Sequence, residues 1–397
     1  MSAARVIGID VGTSSAKGVA IDENGTLLAE VERRYPVSMP HPGWSEQDPE
    51  DWWTACEEVL TTLGGDRADG IGLTGQMHGL VVLGADDRPL RPAILWNDGR
   101  SQPQASRIED ELGIERLVAL SGNRALAGFT APKLMWLADN EPDVHRRIAH
   151  VLLPKDYVRF RLTGERATDV SDASGTLLLD VARRRWSPEL IEAFAADPAW
   201  LPAVHESPAV SGSTPAGVPV AAGAGDQAAG ALGVGVVGDD SPASLVLGTS
   251  GVIFAAREAY TPDPVGRLHA FCHALPGTWH VMGVILSAAG ALSWLADALE
   301  APNDIRPCSR RPLPGTPGSR GWRSRPTSPE NAPRIRTAMS GARSSAWDFA
   351  TIAAPWFARC WRASATRCVT VSTSSPPRAR RPRSPASPAG ARDRNCG

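Results

Sequence analysis

Two segments combine an acidic residue with glycines and hydroxyl side chains, a composition suited to handling phosphates. The first, "DVGTSSAKG", places Asp10 in an apolar run and follows it with Thr13, Ser14 and Lys17. Glycines let the backbone turn tightly, so N–H groups, hydroxyls and a lysine could surround a phosphate. The pattern G-x-x-x-x-G-K-[ST] of a P-loop is absent. An ordinary hairpin turn therefore stays open as the alternative.

Asp10 adds weight to the phosphate interpretation. An acid embedded in an apolar strand costs free energy unless it is paired or lies near a cation. Mg²⁺ carried by a nucleotide would supply that cation. We therefore expect Asp10 to contact the metal indirectly, through a magnesium–nucleotide complex.

The second segment, "GAGDQAAG", places Asp226 among small residues where a helix should begin. Small neighbours permit close approach of a substrate, and a carboxylate there could accept a proton from an alcohol. A simple helix cap is the alternative. The later "LGTSG" offers a second phosphate-facing turn at Gly248, Thr249 and Ser250. An acid with a "GTS" turn thus occurs in both halves, which favours internal duplication over chance.

Polar residues that could bind a small ligand follow two further apolar runs. "LTGQMHGLV" places Gln76, Met77 and His78 between glycines, although a lone histidine is more often an ordinary surface residue. "ILWNDGRS" combines a flat aromatic side chain with several hydrogen-bonding groups, as sugar sites require. Its candidate residues are Trp96, Asn97, Asp98 and Arg100.

The elements that would position these residues alternate in type. Residues 5–35 read as a β-meander with an Asn-Gly turn, and residues 48–65 change to a helical period. Residues 70–90 read as strand, tight turn, strand and turn, residues 102–150 as helices, and a second cycle begins near residue 221. The sequence therefore predicts an α/β fold.

Composition restricts the environment in which the chain works. Only Cys56 and Cys272 precede residue 300. Two distant cysteines suggest no disulfide framework, so we expect a cytoplasmic protein. The first ten residues contain no long apolar h-region and run directly into a strand pattern, so we expect no signal peptide. The most apolar stretch, residues 281–300, is short and interrupted by serines, so we expect a buried helix rather than a membrane span.

The assembled motifs identify the chain as similar to the FGGY carbohydrate kinases. The resemblance runs from residue 5 to about residue 300 and includes "GIDVGTSSAKG", "GWSEQDPEDWW", "LPKDYVRFRLTGE", "TDVSDASGTLLLD" and "GAGDQAAGALGVG". "GQMHG" is typical of the branch that phosphorylates D-xylulose. The resemblance implies a two-domain ribonuclease-H-like fold, shared with actin and sugar kinases, with the site between the domains.

The resemblance also implies roles. Asp226 would be the general base, Asp10 would hold Mg²⁺–ATP, and the product would be D-xylulose 5-phosphate in xylose catabolism. Substrate contacts would come from Gln76, Met77, His78, Trp96, Asn97, Asp98 and Arg100. Nucleotide contacts would come from Thr13, Ser14, Lys17, Gly248, Thr249 and Ser250. Two alternative functions stay open: another sugar or polyol kinase of the same family, and an inactive sugar-binding protein. A homodimer also stays open.

The last part of the chain differs in composition from the rest. Residues 301–397 contain 18 Arg, no Lys and four acids, a net +14, whereas residues 1–300 carry 23 basic and 39 acidic residues, a net −16. Basic charge suits nucleic acid, but tryptophans without periodicity at residues 322, 347, 356 and 361 speak against a binding arm. They also speak against functional disorder. We expect no nucleic-acid and no membrane partner.

Back-translation gives another explanation of this segment. We write the residues as codons rich in G and C and translate these codons again in the frame that starts at the third base of each one. In that frame, residues 322–337 give "LAFPPYLAGERTPHPD" and residues 384–393 give "GVAGGGARS". Residues 345–371 give close to "LGLGLRHHRGALVRAVLEGVGYALRD". These match, in order, segments expected of the family. We therefore expect a single-base frameshift near residues 296–307. The expected division is an N-terminal kinase domain, 1–218, the start of an incomplete second domain, 219–300, and a frameshifted, disordered tail, 301–397.

Overall fold

The computed structural model describes residues 5–247, 251–285 and 368–370, and the structural statements below concern those residues. The predicted second phosphate turn, Gly248, Thr249 and Ser250, lies outside them, as does the tail except for residues 368–370.

Twenty strands are present in the described residues. They are β1 (Arg5–Val11), β2 (Ser15–Asp22), β3 (Leu27–Arg34), β4 (Glu46–Gln47), β5 (Gly70–Gly75), β6 (Val81–Leu83), β7 (Ala93–Ile94), β8 (His150–Leu152), β9 (Ala167–Asp169), β10 (Leu179–Asp180), β11 (Arg185–Trp186), β12 (Ala203–His205), β13 (Val210–Ser213), β14 (Pro219–Ala221), β15 (Ala224–Gly225), β16 (Ser244–Leu247), β17 (Gly251–Arg257), β18 (His269–Cys272), β19 (Trp279–Ile285) and β20 (Cys368–Thr370).

Nine α-helices accompany these strands in the same residues. They are α1 (Pro49–Leu63), α2 (Gln102–Leu112), α3 (Ile114–Ser121), α4 (Thr130–Asn140), α5 (Pro142–His145), α6 (Pro154–Thr163), α7 (Val170–Ala173), α8 (Pro188–Ala193) and α9 (Asp226–Gly233). Short 3₁₀ turns occupy Gly65–Arg67, Ser174–Thr176 and Pro198–Trp200.

The first sheet has the order β13-β14-β5-β1-β2-β3, with β15 also pairing with β5. Strands β1, β2 and β3 form the predicted antiparallel meander. Strands β5, β14 and β15 add parallel pairings on the other side of β1. Parallel strands need covered faces, which explains why β1 and β5 are almost wholly buried.

Helix α1 covers one face of this sheet. Asp48 caps its first turn by accepting from the Glu50 N–H, and Gly64 ends it in the left-handed conformation. Its apolar side chains pack against the sheet in one core cluster. The approach is close, because a Cβ on Gly18 of β2 would lie 2.2 Å from Val59 Cγ1. The predicted change from strand to helical periodicity over residues 48–65 is confirmed, with the helix itself running from Pro49 to Leu63.

The second sheet has the order β18-β19-β17-β16-β20, and every pairing in it is antiparallel. Phe254 of β17 and Met282 of β19 belong to the same core cluster as Leu134 of α4 and Phe194 after α8. This shared core joins the second sheet to helix α4. The predicted helical region over residues 102–150 therefore packs both against the second sheet and against the part of the chain that precedes it.

The most apolar stretch of the sequence is partly a strand. Residues 281–285 belong to β19, paired with β17 from Gly251↔Ile285 to Arg257↔Trp279. The expected helix over residues 281–300 is therefore wrong in its first five positions, because a β-branched, valine-rich run pairs with a strand already in place. Residues 286–300 lie outside the described part of the chain. No helix in the described residues is long and apolar enough to cross a membrane.

Candidate active site

Three parallel strands end side by side, and the predicted motifs begin where they end. The register pairs Asp10 of β1 with Thr74 of β5, and Thr74 with Ala224 of β15. One position further, Val11 pairs with Gly75 and Gly75 with Gly225. Ligands of α/β sheets bind outside the carboxyl ends of the strands. The acid of the first motif, the "QMH" segment and Asp226 therefore emerge at one edge.

The first predicted phosphate turn is a tight hairpin between β1 and β2. The Gly12 N–H donates to the Ser15 carbonyl over 3.0 Å, and the Tyr35 hydroxyl donates to the Gly12 carbonyl over 2.6 Å. Ser14, at its tip, is exposed. Lys17 is only partly exposed and lies directly opposite Asp10 in the β1–β2 register. Cross-strand partners share a face of the sheet, so this lysine and the acid lie on the same side.

Thr13 connects three of the predicted motifs. Its hydroxyl donates to Gln76 Oε1 over 3.3 Å and accepts from Trp96 Nε1 over 3.0 Å. The hairpin, the "QMH" segment and the "WND" segment are therefore hydrogen-bonded to one another. Residues from three distant parts of the sequence meet at one side chain, as a single site requires.

Gln76 is buried and supports the hairpin rather than facing open space. Its Nε2 donates to the Gly12 carbonyl over 3.2 Å and to Gln47 Oε1 over 3.0 Å. Gln47 in turn donates to the Thr13 carbonyl over 2.7 Å and accepts from Trp52 Nε1 over 3.0 Å. Sequence reasoning missed Gln47, although it stands in the quoted "GWSEQDPEDWW" segment, because its partners lie far away in the chain.

Asp226 is the first residue of α9, as predicted, and its titration is strongly altered. Burial raises the pKa of its carboxyl group to about 7, and the negative charge of Asp10 acts in the same direction. Hydrogen bonds from the backbone and side chain of Gln227 lower the pKa, but by less. A carboxyl group poised near neutral pH can both accept and release a proton, which general acid–base catalysis requires.

Met77 and His78 follow the end of β5, which pairs with β15 immediately before Asp226. Met77 is buried against the backbone before Asp226, since a Cβ on Gly225 would lie 2.8 Å from Met77 Cγ. His78 Nδ1 lies 2.8 Å from the Gly175 carbonyl oxygen. Burial lowers the pKa of His78 to about 3, so its ring is neutral at physiological pH. A neutral ring with Nδ1 on the carbonyl donates there and leaves Nε2 as an acceptor for a ligand hydroxyl.

The backbone of His78 is held by two residues that sequence reasoning missed. Its φ is 69°, a left-handed conformation that costs free energy for a side chain of this size. Its carbonyl oxygen accepts from Lys133 Nζ over 2.8 Å and from Thr130 Oγ1 over 3.1 Å. Lys133 is fully buried, and burial lowers its pKa to about 7. The surrounding sequence, "APKLMWL", does not indicate the partner of this lysine.

The "WND" segment divides into outward and inward residues. Trp96 is partly exposed beside Thr13, and Asn97 is exposed. Asp98 and Arg100 are buried and bind each other through two hydrogen bonds, from Nε over 2.9 Å and from Nη2 over 2.8 Å.

Arg100 is engaged on its other sides as well. Its Nη1 forms an ion pair with Glu46 over 2.6 Å, and its guanidinium carbon lies 3.6 Å from the ring centroid of Trp44. Asp98 Oδ2, which accepts from Arg100 Nη2, also accepts from the Ser45 N–H over 2.6 Å. Asp98 and Arg100 therefore have their partners within the protein. As a pair they hold the loop that follows Trp96.

The carboxylates at the strand ends fit a magnesium ion that arrives with its phosphates. No group of three His, Cys, Asp or Glu side chains in the described residues could hold a metal ion by itself. Mg²⁺ in phosphoryl-transfer sites keeps several waters and needs only one or two carboxylates. Asp10 is buried at the strand end and near enough to Asp226 to influence its titration. The donor set therefore suits a nucleotide-borne metal.

Comparison with known proteins assigns this arrangement to a class. Over 75% of the chain, the fold superposes on a xyloylose kinase from Brucella ovis with a TM-score of 0.71 and 47% identity. It superposes on xylulose kinase from Rhodospirillum rubrum with a TM-score of 0.70 and 32% identity, again over 75% of the chain. Each match covers 63% of the other chain. The class is that of the sugar kinases with the actin-like, ribonuclease-H-like fold, and this prediction is confirmed.

The family follows from the sequence matches. Residues 5–233 match the N-terminal domain of the FGGY family of carbohydrate kinases. Xylulose kinase from Escherichia coli K12 is 47% identical over 303 residues, and that from Bacillus subtilis 168 is 40% identical over 319 residues. The chain belongs to the FGGY family of carbohydrate kinases. It spans 62% of the length of either relative, and the matches cover 73% and 75% of this chain.

Proposed function

We propose that the protein transfers the γ-phosphoryl group of ATP to the C5 hydroxyl of D-xylulose and forms D-xylulose 5-phosphate. The observation that carries the proposal is the position of Asp226. It begins α9 beside Asp10, at the common end of three parallel strands, with its pKa raised to about 7. The xylulose kinases among its relatives support the choice of sugar.

Asp226 would accept the proton of the attacking hydroxyl as the bond to phosphorus forms. A base with a pKa near the working pH combines a deprotonated starting state with a useful affinity for the proton. Met77 and His78 border the same space and would orient the sugar, with His78 Nε2 accepting from a hydroxyl. Trp96 and Asn97 would line its outer side. Asp98 and Arg100 would act through the shape of the loop.

The nucleotide would lie against the hairpin that follows β1. Thr13, Ser14 and Lys17 would contact its phosphates, and we assign Gly248, Thr249 and Ser250 the same role on sequence resemblance alone. Asp10 would hold the bound Mg²⁺ through its waters, and the ion would neutralise charge on the phosphates. In-line positioning of hydroxyl and phosphate then carries much of the rate enhancement. Buried thiols at Cys56 and Cys272 suit a reducing cytoplasm.

Two measurements test the proposal. ADP release, coupled to a spectroscopic assay, should be faster with D-xylulose than with each member of a ketose and polyol panel. A preference for another sugar would replace D-xylulose with that substrate. Calorimetric titration of D-xylulose into Asp226→Ala separates a kinase from a sugar-binding protein. A kinase loses turnover and keeps sugar affinity, whereas a binding protein has no turnover to lose.

We also propose that residues 301–397 arise from a single-base frameshift near residues 296–307. The family motifs recovered in order from the neighbouring frame support this. The proposal gives the basic segment no role in binding nucleic acid and assigns no site residue to it. Sequencing the gene through this region tests it, because an intact frame across residues 296–307 would contradict it.

A further inference from the structure

The backbone that carries Asp226 is tied to a serine on another helix. The Gly225 N–H donates to Ser171 Oγ over 3.1 Å. Gly225 ends β15 and is the N-cap of α9, and Asp226 is the first residue of that helix. A hydrogen bond at this amide therefore fixes the point from which the Asp226 side chain leaves the backbone.

The orientation of the Ser171 hydroxyl is determined by Asp169. Ser171 Oγ donates to Asp169 Oδ2 over 2.5 Å, so a lone pair of the same oxygen is available to the Gly225 N–H. Asp169 Oδ2 also accepts from the Ser171 N–H over 2.8 Å and from Ser207 Oγ over 2.6 Å. Asp169 and Ser171 are completely buried, so water does not compete for these bonds.

Asp169 is held in turn by a buried ion cluster. Lys155 Nζ lies 2.9 Å from Asp169 Oδ1, 2.6 Å from Asp156 Oδ1 and 3.3 Å from Asp172 Oδ2. Arg159 joins through Asp156 over 3.4 Å. Burial holds the pKa of Asp172 well above its usual range. The cluster thus joins three carboxylates to Lys155 and Arg159 out of contact with water.

The stem of Lys155 lies directly beneath the candidate site. A Cβ on Gly75, where β5 ends, would lie 3.2 Å from Lys155 Cβ, and one on Gly223 would lie 3.2 Å from Lys155 Cδ. The Gly223 N–H donates to the Ser207 carbonyl over 3.1 Å. The same cluster therefore supports the strand end before Met77 and the turn before Asp226.

We propose that Ser171, oriented by Asp169 and Lys155, is a positioning residue that fixes the Gly225–Asp226 backbone for phosphoryl transfer. This inference rests on the proposed function, because it takes Asp226 to be the base. Ser171 would then control the orientation of the Asp226 carboxyl group without touching the substrate. Misplacement of a reacting group by about 1 Å can cost about a hundredfold in rate.

The matched control is Ser174→Ala. Ser174 is also completely buried, donates to the Val170 carbonyl over 2.7 Å and accepts from the Cys272 N–H over 3.1 Å. Ser171→Ala and Ser174→Ala thus remove the same kind of hydroxyl from neighbouring turns, but of the two only Ser171 is bonded to the Gly225 N–H, next to Asp226. Ser207→Ala, which removes one donor to Asp169 and leaves Ser171 intact, should act weakly in the same direction.

Hydrogen exchange of the 397-residue chain, read by mass spectrometry, tests the contact without any turnover. Ser171→Ala should speed exchange in the peptide containing Gly225 about tenfold, the effect of one lost hydrogen bond. Ser174→Ala should speed exchange near Cys272 and leave the Gly225 peptide unchanged. Unchanged exchange at Gly225 in Ser171→Ala overturns the inference. If Ser171→Ala fails to fold, Ser207→Ala decides: a smaller increase of exchange in the Gly225 peptide, absent from Ser174→Ala, supports the inference, and no increase overturns it.

Steady-state kinetics separate positioning from a general structural role. Ser171→Ala should lower kcat for the sugar about tenfold or more and leave KM within about twofold, whereas Ser174→Ala should leave both near the wild-type values. Equal losses in the two variants overturn the positioning role. Absence of turnover on any sugar, both in this chain and in the chain with its reading frame restored, would contradict the proposed function alone, and the exchange result would still decide whether Ser171 holds the Gly225 backbone.

Discussion

The carboxyl group of Asp226 lies within the electrostatic influence of Asp10, whose negative charge disfavours the ionisation of Asp226. Burial raises the pKa of Asp226 to about 7, and the charge of Asp10 contributes in the same direction. The register of three parallel strands brings them together, since Asp10 is the next-to-last residue of β1 and lies one position before the level of Gly225. On the proposed function, the same geometry would make Asp226 the base and let Asp10 meet a nucleotide-borne cation.

Replacing Asp226 with Asn should remove catalysis and preserve sugar binding. The amide keeps the size of the side chain but cannot accept the proton of the attacking hydroxyl. We expect kcat to fall by about 10² to 10⁴-fold. D-Xylulose affinity, measured by calorimetry, should stay within about threefold. Asp66→Asn, an exposed acid after α1, is the control and should change neither quantity. Full turnover in Asp226→Asn would exclude Asp226 as the base.

The same substitution should change the pH dependence of stability. The usual pKa of an Asp carboxyl is 3.8, and the folded state raises that of Asp226 to about 7. Between these values the folded state binds the proton more tightly than the unfolded state, so the free energy of unfolding falls as pH rises and is constant above about 7. Asp226→Asn removes this titration.

Asp226→Asn should therefore be more stable than the wild type at pH 8 and similar to it near pH 4. With allowance for partial screening by solvent, the free energy of unfolding of Asp226→Asn at pH 8 should exceed that of the wild type by about 1 to 2 kcal/mol. Calorimetric Tm values of both proteins across this pH range measure the effect. A difference in Tm that is the same at both ends of the range would contradict the raised pKa.

Gly175 should be needed to orient His78. A Cβ at Gly175 would lie 2.4 Å from His78 Nδ1 and 2.6 Å from Cε1, so Gly175→Ala must displace the ring. We expect its affinity for D-xylulose, measured by calorimetry, to fall about tenfold or more, since the loss of one well-placed hydrogen bond corresponds to about that factor. Gly99→Ala is the control, because its nearest neighbour would be 3.6 Å away, an ordinary contact. Equal affinities in the two variants would argue against a sugar contact from His78.

The sequence predicted the elements and missed most of the contacts between them. Apolar runs, an Asn-Gly turn and a change of period are local signals, so β1, β2, α1 and β5 were predictable. Asp226 was predictable as the start of α9 because small residues surround it. The bonds from Gln47 to Thr13, Lys133 to His78 and Gly225 to Ser171 span 34, 55 and 54 residues. No local pattern specifies such partners.

Asp98 and Arg100 illustrate a different limit. Polar residues after an apolar run predict a ligand site whether they face a ligand or one another. The structure pairs these two side chains and stacks Arg100 against Trp44, a residue from a distant segment. Only the folded backbone distinguishes the exposed Asn97 from its buried neighbour Asp98. Their contribution to sugar binding stays a prediction.

Restoring the reading frame should change the activity of the gene product. If one base is missing near codons 296–307, its insertion replaces the Arg-rich segment with one containing "PPYLAGERTPH" and "GGGARS". The corrected chain should match the relatives beyond the 303 residues now aligned with the Escherichia coli xylulose kinase.

Its D-xylulose-dependent ADP release should exceed that of the 397-residue chain by about a hundredfold or more, because aligning both substrates is worth at least that factor. Asp226→Ala in the corrected chain is the control and should abolish the gain. Equal turnover by the two chains, or a gene whose frame is intact across residues 296–307, would show that the basic segment belongs to the protein.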